Sequence, residues 1–133
     1  MLGLDIPDDV IVVADFEAGI GTLTRLGDTK VDAVVVVAEP TVKSLEVAAR
    51  ATALAQELSS GPVVIVANRV RDEADRAAID RALPGRIVLH VPDDPAIAAA
   101  ERQDVAPLDA APDGPAVLAL SGLAELLLRL SDA

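Results

Sequence analysis

The sequence has 133 residues, which suits one domain, and 52% of them are apolar, enough for a buried core. Acidic residues outnumber basic ones 22 to 11, giving a formal charge of −11. A field of that sign repels phosphate backbones, and Phe16 is the only aromatic side chain, so a nucleic-acid partner is not expected.

There is no Cys, which removes disulfides, thiolate metal sites and Cys nucleophiles. Met1 to Pro7 has neither the basic flank nor the apolar stretch of a signal peptide. No apolar run approaches the ~18–20 residues that cross a bilayer. The expectation is a cytoplasmic protein without a membrane partner, forming one α/β domain over residues 1–133.

In chain order, Val10 to Ala14 is a first β-branched run, set between acidic residues. Ala33 to Ala38 is a second, Pro62 to Ala67 a third and Arg86 to Val91 a fourth. Continuous apolar runs, rather than alternating ones, predict strands covered on both faces, as in parallel sheets. Helical patterns lie between them. Thr41 is a cap for a helix to about Leu58, with Leu45, Ala48, Ala51 and Ala55 at helical spacing; Gly61 and Pro62 stop it. Asp72 caps a second helix, to about Leu83. Asp94-Pro95 opens a third with Pro at its first position, and Asp113-Gly114-Pro115 opens a fourth. Ala106 to Pro115 reads as a Pro-rich linker between two helices. This alternation predicts right-handed crossovers and a small parallel sheet with helices on both faces.

Ligands of open parallel sheets sit beyond the carboxyl ends of the strands. The residues that follow the predicted strands are Asp15-Phe16-Glu17-Ala18-Gly19, Glu39-Pro40-Thr41, Asn68-Arg69 and Pro92-Asp93-Asp94. Arg25 and Arg69 are the cations nearest that edge. His90 ends an apolar strand, a place for a packed side chain rather than a catalytic one. No Ser stands in a nucleophile-elbow setting, which argues against a Ser-His-Asp hydrolase.

Taken together, these segments resemble the P-loop ATPases of the MinD/ParA type, most closely the accessory ATPases that mature carbon-monoxide dehydrogenase. The likeness runs from about residue 8 to 105. It rests on Asp15-x-Glu17-Ala18-Gly19-Ile20 after an apolar strand, on Arg25, and on Val31-Asp32 before a strand ending in Glu39-Pro40. It continues with an Ala- and Arg-rich helix, a Val-rich strand ending in Asn68-Arg69, and a strand ending in Pro92-Asp93. The resemblance implies a truncated P-loop NTPase, a Rossmann-like fold corresponding to the C-terminal half of such an ATPase. It implies that Asp15 holds Mg²⁺ through water and that Gly19 is the pivot of a nucleotide-sensing loop. It further implies that Asn68 reads the adenine edge, and that Pro92 and Asp93 belong to the adenine-side loop. The implied cofactors are ATP or ADP with Mg²⁺.

The 133 residues contain no Gly-x-x-x-x-Gly-Lys-[Ser/Thr], the loop whose backbone N–H groups and Lys hold phosphates. Gly19-Ile20-Gly21-Thr22 is too short, lacks Lys and follows the wrong strand. The Cys pair that the maturation ATPases use for metal is also absent, so nickel handling is not implied. Phosphoryl transfer without that clamp sets developing negative charge against Asp15, Glu17, Asp93 and Asp94, and hydrolysis by these residues alone is not expected.

In the resembled family the P-loop strand lies between the Asp15-type strand and the one matching Ala33 to Ala38. Its absence leaves two strands to close on each other or to be covered by another chain. The expectation is therefore a homodimer or a P-loop-bearing partner. Three functions remain open: a degenerate ATPase homologue acting as a regulatory or partner-binding module; half of a split ATPase completed by a P-loop-bearing chain; and a receiver-like signalling domain. The last is weakened because Asp8-Asp9 precede the first strand and no suitable Lys follows the last.

Overall fold

The computed structural model describes residue 7 and residues 9–16, 31–58 and 61–131. Among the described residues strands and helices alternate up to β3 and three helices then follow: β1 (Val34–Ala38), α1 (Val42–Leu58), β2 (Val63–Val70), α2 (Glu73–Ala82), β3 (Ile87–Pro92), α3 (Pro95–Arg102), α4 (Pro107–Ala110) and α5 (Pro115–Ser131). The strands form one sheet in the order β1-β2-β3. Both pairings are parallel, with Val34 to Ala38 opposite Val63 to Ala67 and Val64 to Ala67 opposite Ile87 to His90. This is the small, Rossmann-like α/β arrangement that the alternating pattern predicts.

The central strand carries the core. Val64, Ile65, Val66 and Ala67 are all almost completely buried. Their side chains alternate between the two faces, as pleating requires. Ile65 and Ala67 point into a cluster with Val36 and Ala38 of β1, Leu45 and Ala48 of α1, and Ile79 of α2. Val66 packs on the opposite face with Val91 of β3 and Ala116 of α5, supported by Leu89, Ile97 and Leu123. Full burial of a Val or Ile side chain contributes about 1.5–3 kcal/mol each, so the four residues of β2 anchor both layers.

Short polar side chains set the helix starts. The Thr41 hydroxyl accepts the Ser44 N–H at 3.3 Å, and the Ser44 hydroxyl accepts the Glu39 N–H at 2.9 Å. Asp72 accepts the Asp75 N–H at 2.9 Å and caps α2. Asp94 does two jobs. One carboxylate oxygen accepts the Ala96 N–H at 3.0 Å and caps α3; the other accepts the Ala116 N–H at 3.3 Å, at the start of α5. Gly61 marks the tightest backbone approach. A Cβ there would collide with the Asp32 carbonyl oxygen, so a side chain does not fit where β1 and β2 begin.

Two expectations need correction. Val10 to Ala14 is not a strand: these residues have no regular secondary structure, and Val10, Ile11, Val12 and Val13 are 50–88% exposed. β-branched residues fit a pleated surface only when a neighbour supplies the ladder, and no described strand lies beside this run. Nor is β1 covered on both faces. Val36 and Ala38 are buried, whereas Val35 and Val37 are 37% and 65% exposed, because α5 packs over β3 and leaves that side of β1 bare. The Pro-rich linker joins α3 and α5, and within it Pro107 starts the one-turn helix α4.

Replacing Asp94 with Ala removes a hydrogen bond at the start of each of two helices. The expected loss is about 1–2 kcal/mol of stability, read as a lower urea midpoint, with Asp94→Asn recovering part of it. An unchanged midpoint in Asp94→Ala would show that the bridge between α3 and α5 contributes nothing.

Candidate functional site at the strand ends

The sheet is irregular at one place, at its carboxyl edge. Ala67 pairs with His90 and Val70 with Pro92, so Asn68 and Arg69 together oppose Val91 alone. This is a β-bulge, and it lengthens β2 through Asn68 to Val70, residues expected to follow the strand. Arg69 absorbs the irregularity with φ of 58°, in the left-handed region. That conformation costs a non-glycine residue about 1–2 kcal/mol.

The bulge turns Arg69 toward the strand ends on either side. Its Nη1 lies 3.6 Å from a Glu39 carboxylate oxygen, just past β1, and its Nε lies 3.6 Å from an Asp93 oxygen, just past β3. The Asp93 N–H also bonds the Val70 carbonyl at 3.0 Å, which fixes the end of β3 beside the bulge. Exposed ion pairs of this kind are worth about 0–1 kcal/mol each, so they do not clearly outweigh the strain of Arg69. Around them lies a cavity of about 180 Å³ lined by Glu39, Pro40, Thr41, Arg69, Arg71 and Asp93. A larger groove of about 360 Å³ runs between α1 and α2, and its walls are mainly Val42, Leu45, Ala49, Ala78 and Ala82.

Arg71 is a participant that the strand-end reading missed. Its Nε and Nη2 reach the two oxygens of Asp75 at 3.1 and 3.3 Å, and its backbone N–H donates to the same carboxylate at 2.9 Å. The i, i+4 spacing of Arg71 and Asp75 was the available sequence signal. The bond from the Arg71 side chain, then that from its backbone N–H, holds the Asp75 carboxyl below its usual range.

The sequence-predicted residues divide three ways. Asp93 lines the cavity; Asn68 and Pro92 adjoin it on the bulged pair of strands without lining it. Asp15 is exposed and forms no hydrogen bond or ion pair with another described residue. Gly19 and Arg25 lie outside the described residues. His90, on β3, is partly buried; its Nδ1 is fully enclosed with no hydrogen-bond partner among the described residues. Burial pushes its pKa below the ordinary 6.5, Arg76 adds to that, and Asp80 and Glu73 oppose it.

No protein-family model matches the chain. It is similar to two curated proteins of Methanocaldococcus jannaschii, each described as an uncharacterized ATP-binding protein. One is 28% identical over 121 residues, covering 89% of this chain and 46% of the relative. The other is 40% identical over 65 residues, covering 49% of this chain and 25% of the relative. The chain thus spans less than half the length of either relative. Among the described residues no helix is long and apolar enough to cross a membrane.

The described residues fit parts of the implied ligand unequally. The cavity presents the carboxylates of Glu39 and Asp93, acceptors that the amino group of a heterocyclic base can use. A triphosphate is poorly matched, because both cavity cations are already engaged by carboxylates. Magnesium is poorly matched too: Asp15 stands alone, and no cluster of three or more metal-ligating side chains occurs among the described residues.

The pKa shifts set the acid sensitivity. Both Asp75 and His90 have folded-state values below their ordinary ones. Between the two values the unfolded chain binds more protons, so stability falls as pH falls. The His90 contribution begins to be lost as pH drops through about 6.5, and that of Asp75 below the ordinary carboxylate range. In urea titrations, His90→Gln is expected to flatten the loss between pH 7 and 5. An identical slope in the variant would remove His90 from the account.

Proposed function

We propose that this chain is a nucleotide-binding, partner-dependent module of the MinD/ParA ATPase type. It is a cytoplasmic regulatory or partner-binding unit that contacts the base side of ATP or ADP and does not hydrolyse nucleotide on its own. The observation that carries this reading is the strand-end cavity. The bulged β2 brings Arg69 between Glu39 and Asp93, where open parallel sheets hold ligands. Nothing in the 133 residues supplies a phosphate-binding loop. The ATP-binding description of both similar proteins supports a nucleotide as ligand.

Within this reading, Asn68, with an amide that donates and accepts at once, faces the edge of adenine, and Pro92 and Asp93 form the loop beside it. Asp15 and Gly19 serve the phosphate and Mg²⁺ side, which needs groups from beyond these residues. Phosphates bound by these residues alone would meet uncompensated carboxylates, and the chain itself supplies little of the charge stabilisation that transfer requires.

A second reading, half of an ATPase completed by a P-loop-bearing polypeptide, is favoured by one observation. β1 has an unpaired outer edge among the described residues and a bare face at Val35 and Val37, and Val10 to Val13 are exposed as well. Exposed edges and apolar faces of this kind are normally paired or covered. The P-loop strand is the natural cover, whether it precedes these residues or belongs to another chain; a second copy is the competing occupant.

Calorimetric titration of ATP and ADP with Mg²⁺ into the purified chain is expected to show binding without turnover. Turnover by the lone chain, abolished by Asp15→Ala, would overturn the proposal. Turnover that appears only with a co-expressed P-loop-bearing polypeptide, and is lost in Val37→Lys, would establish the second reading. A stable dimer in light scattering at low micromolar concentration would give the bare face to a second copy instead.

A further inference from the structure

α1 and α2 pack on the same face of the sheet and leave a trough between them. α1 lines it with Val42, Leu45, Glu46 and Ala49, which stand at i, i+3, i+4 and i+7. α2 lines it with Ala78, Arg81 and Ala82, at i, i+3 and i+4. Each wall is thus one stripe of a helix. Leu45 lies deepest, at 5% exposed; Val42 is 77% exposed, and the three alanines are half-buried. Alanine on both walls is what keeps the trough open, since larger side chains there would fill it. Its volume of about 360 Å³ exceeds the roughly 300 Å³ at which binding pockets begin. From Val42 to Ala49 the α1 wall runs about 10 Å, at the helical rise of 1.5 Å per residue. That is the reach from i to i+7, the anchors with which an amphipathic helix fills an apolar groove.

The rim carries one charge of each sign. Glu46 stands on the α1 wall and Arg81 on the α2 wall. Both are exposed, and neither forms a hydrogen bond or ion pair with another described residue. A free carboxylate on one side and a free guanidinium on the other complement an apolar stripe flanked by one basic and one acidic residue. A second copy of this chain is the poorer occupant, because two chains of −11 repel each other.

We infer that the groove between α1 and α2 docks one amphipathic helix of a partner protein. Aliphatic anchors at i, i+4 and i+7 sit over Leu45 and the alanines, with a basic residue toward Glu46 and an acidic one toward Arg81. The inference rests on the partner-binding part of the reading above and uses none of the nucleotide site. The two sites nevertheless meet at the start of α1, where Thr41 lines the strand-end cavity and Val42 lines the groove.

Three synthetic helical peptides are the probes. They share a Leu stripe at i, i+4 and i+7, and carry on its flanks Lys and Glu, Lys on both sides, or Glu on both sides. Affinity is read by fluorescence anisotropy with the purified chain at about 0.15 M salt. Backbone amide shifts locate the bound peptide, and melting temperatures control for folding. The parent is expected to prefer the Lys/Glu peptide, with shifts at Ala49, Ala78 and Ala82. Ala78→Gln fills the trough while remaining a good helix former, and is expected to weaken binding about 10-fold or more. Ala49→Gln, on the facing wall, is the duplicate should Ala78→Gln melt early. Arg81→Glu is expected to shift preference toward the Lys/Lys peptide, and Glu46→Arg toward the Glu/Glu peptide, each by about 2- to 5-fold. Arg50→Glu, on α1 but outside the groove, changes net charge as Arg81→Glu does and is expected to leave the preference in place. No binding of any peptide, or an equal shift in Arg50→Glu, would overturn the inference; ATP titrated into the same sample would show whether the nucleotide reading survives it. Self-association of the parent that is lost in Ala78→Gln would overturn it by giving the groove to a second copy. Peptide binding gained only when Leu23 and Leu26 are changed to Asp would overturn it by giving the groove to residues 17–30 of the chain itself.

Discussion

Backbone pairing along both edges of β2 is the constraint from which the described fold follows. A parallel strand bonded on each side has its polar groups satisfied by its neighbours, and the helical crossovers that join parallel strands cover its faces. β2 meets that demand with Val64 to Ala67, which face two helical layers alternately and are almost wholly buried. Regular pairing with β3 ends at Ala67, and the packing resumes beyond the bulge at the buried Val70. Past Ala67 the strand bulges, and the bulge delivers Arg69 to its two carboxylates. Core and candidate site are thus successive segments of one strand, the first made rigid so that the second has a fixed place to emerge.

Much of this was legible in the residues. Val-rich runs located β1, β2 and β3 to within a few residues, because uninterrupted β-branched sequence has few other uses in a short α/β chain. Thr41, Asp72 and Asp94 marked helix starts because a short side-chain oxygen beside orphan N–H groups is a local chemical requirement. What escaped was non-local. Val10 to Ala14 has the composition of a strand, but composition does not supply the neighbour that makes one. The second bond of Asp94, to Ala116, joins residues 22 apart and leaves no periodic trace. Arg69 was visible as a strand-end cation. Its left-handed backbone was not, since the bulge results from how β2 and β3 register and not from any residue preference; glycine or asparagine would have been the expected sign.

The acidic composition acquires a more specific meaning at the strand ends. With 22 acidic against 11 basic residues, a cation near the sheet edge is captured by carboxylates. Arg69 and Arg71 are both so captured, but differently. Asp75 is nearly buried and takes hold of Arg71 through three hydrogen bonds, which stiffens the turn from β2 into α2. Glu39 and Asp93 are exposed and stand 3.6 Å from Arg69, close enough to orient it and too far for short hydrogen bonds. One arginine is fixed by hydrogen bonds and the other is held only by two longer ion pairs.

On the proposed reading, the two ends of a nucleotide make demands of different kinds. A base asks for a flat surface and a few directional partners, and strand termini in fixed register can provide these from a small number of residues. Phosphates ask for concentrated positive charge and converging backbone N–H groups, which a −11 chain without a Gly-Lys loop has no means to assemble. The base side therefore depends on the register of β1, β2 and β3, all of which these residues contain. The phosphate side depends on whatever occupies the outer edge of β1, which no described strand pairs. That edge and the strand-end cavity are linked through β1 itself: Val37 is exposed on the bare face, and Glu39, two residues on, holds one side of Arg69. A strand docking on β1 would fix the position of Glu39, so completing the sheet and shaping the base site are, physically, parts of the same event.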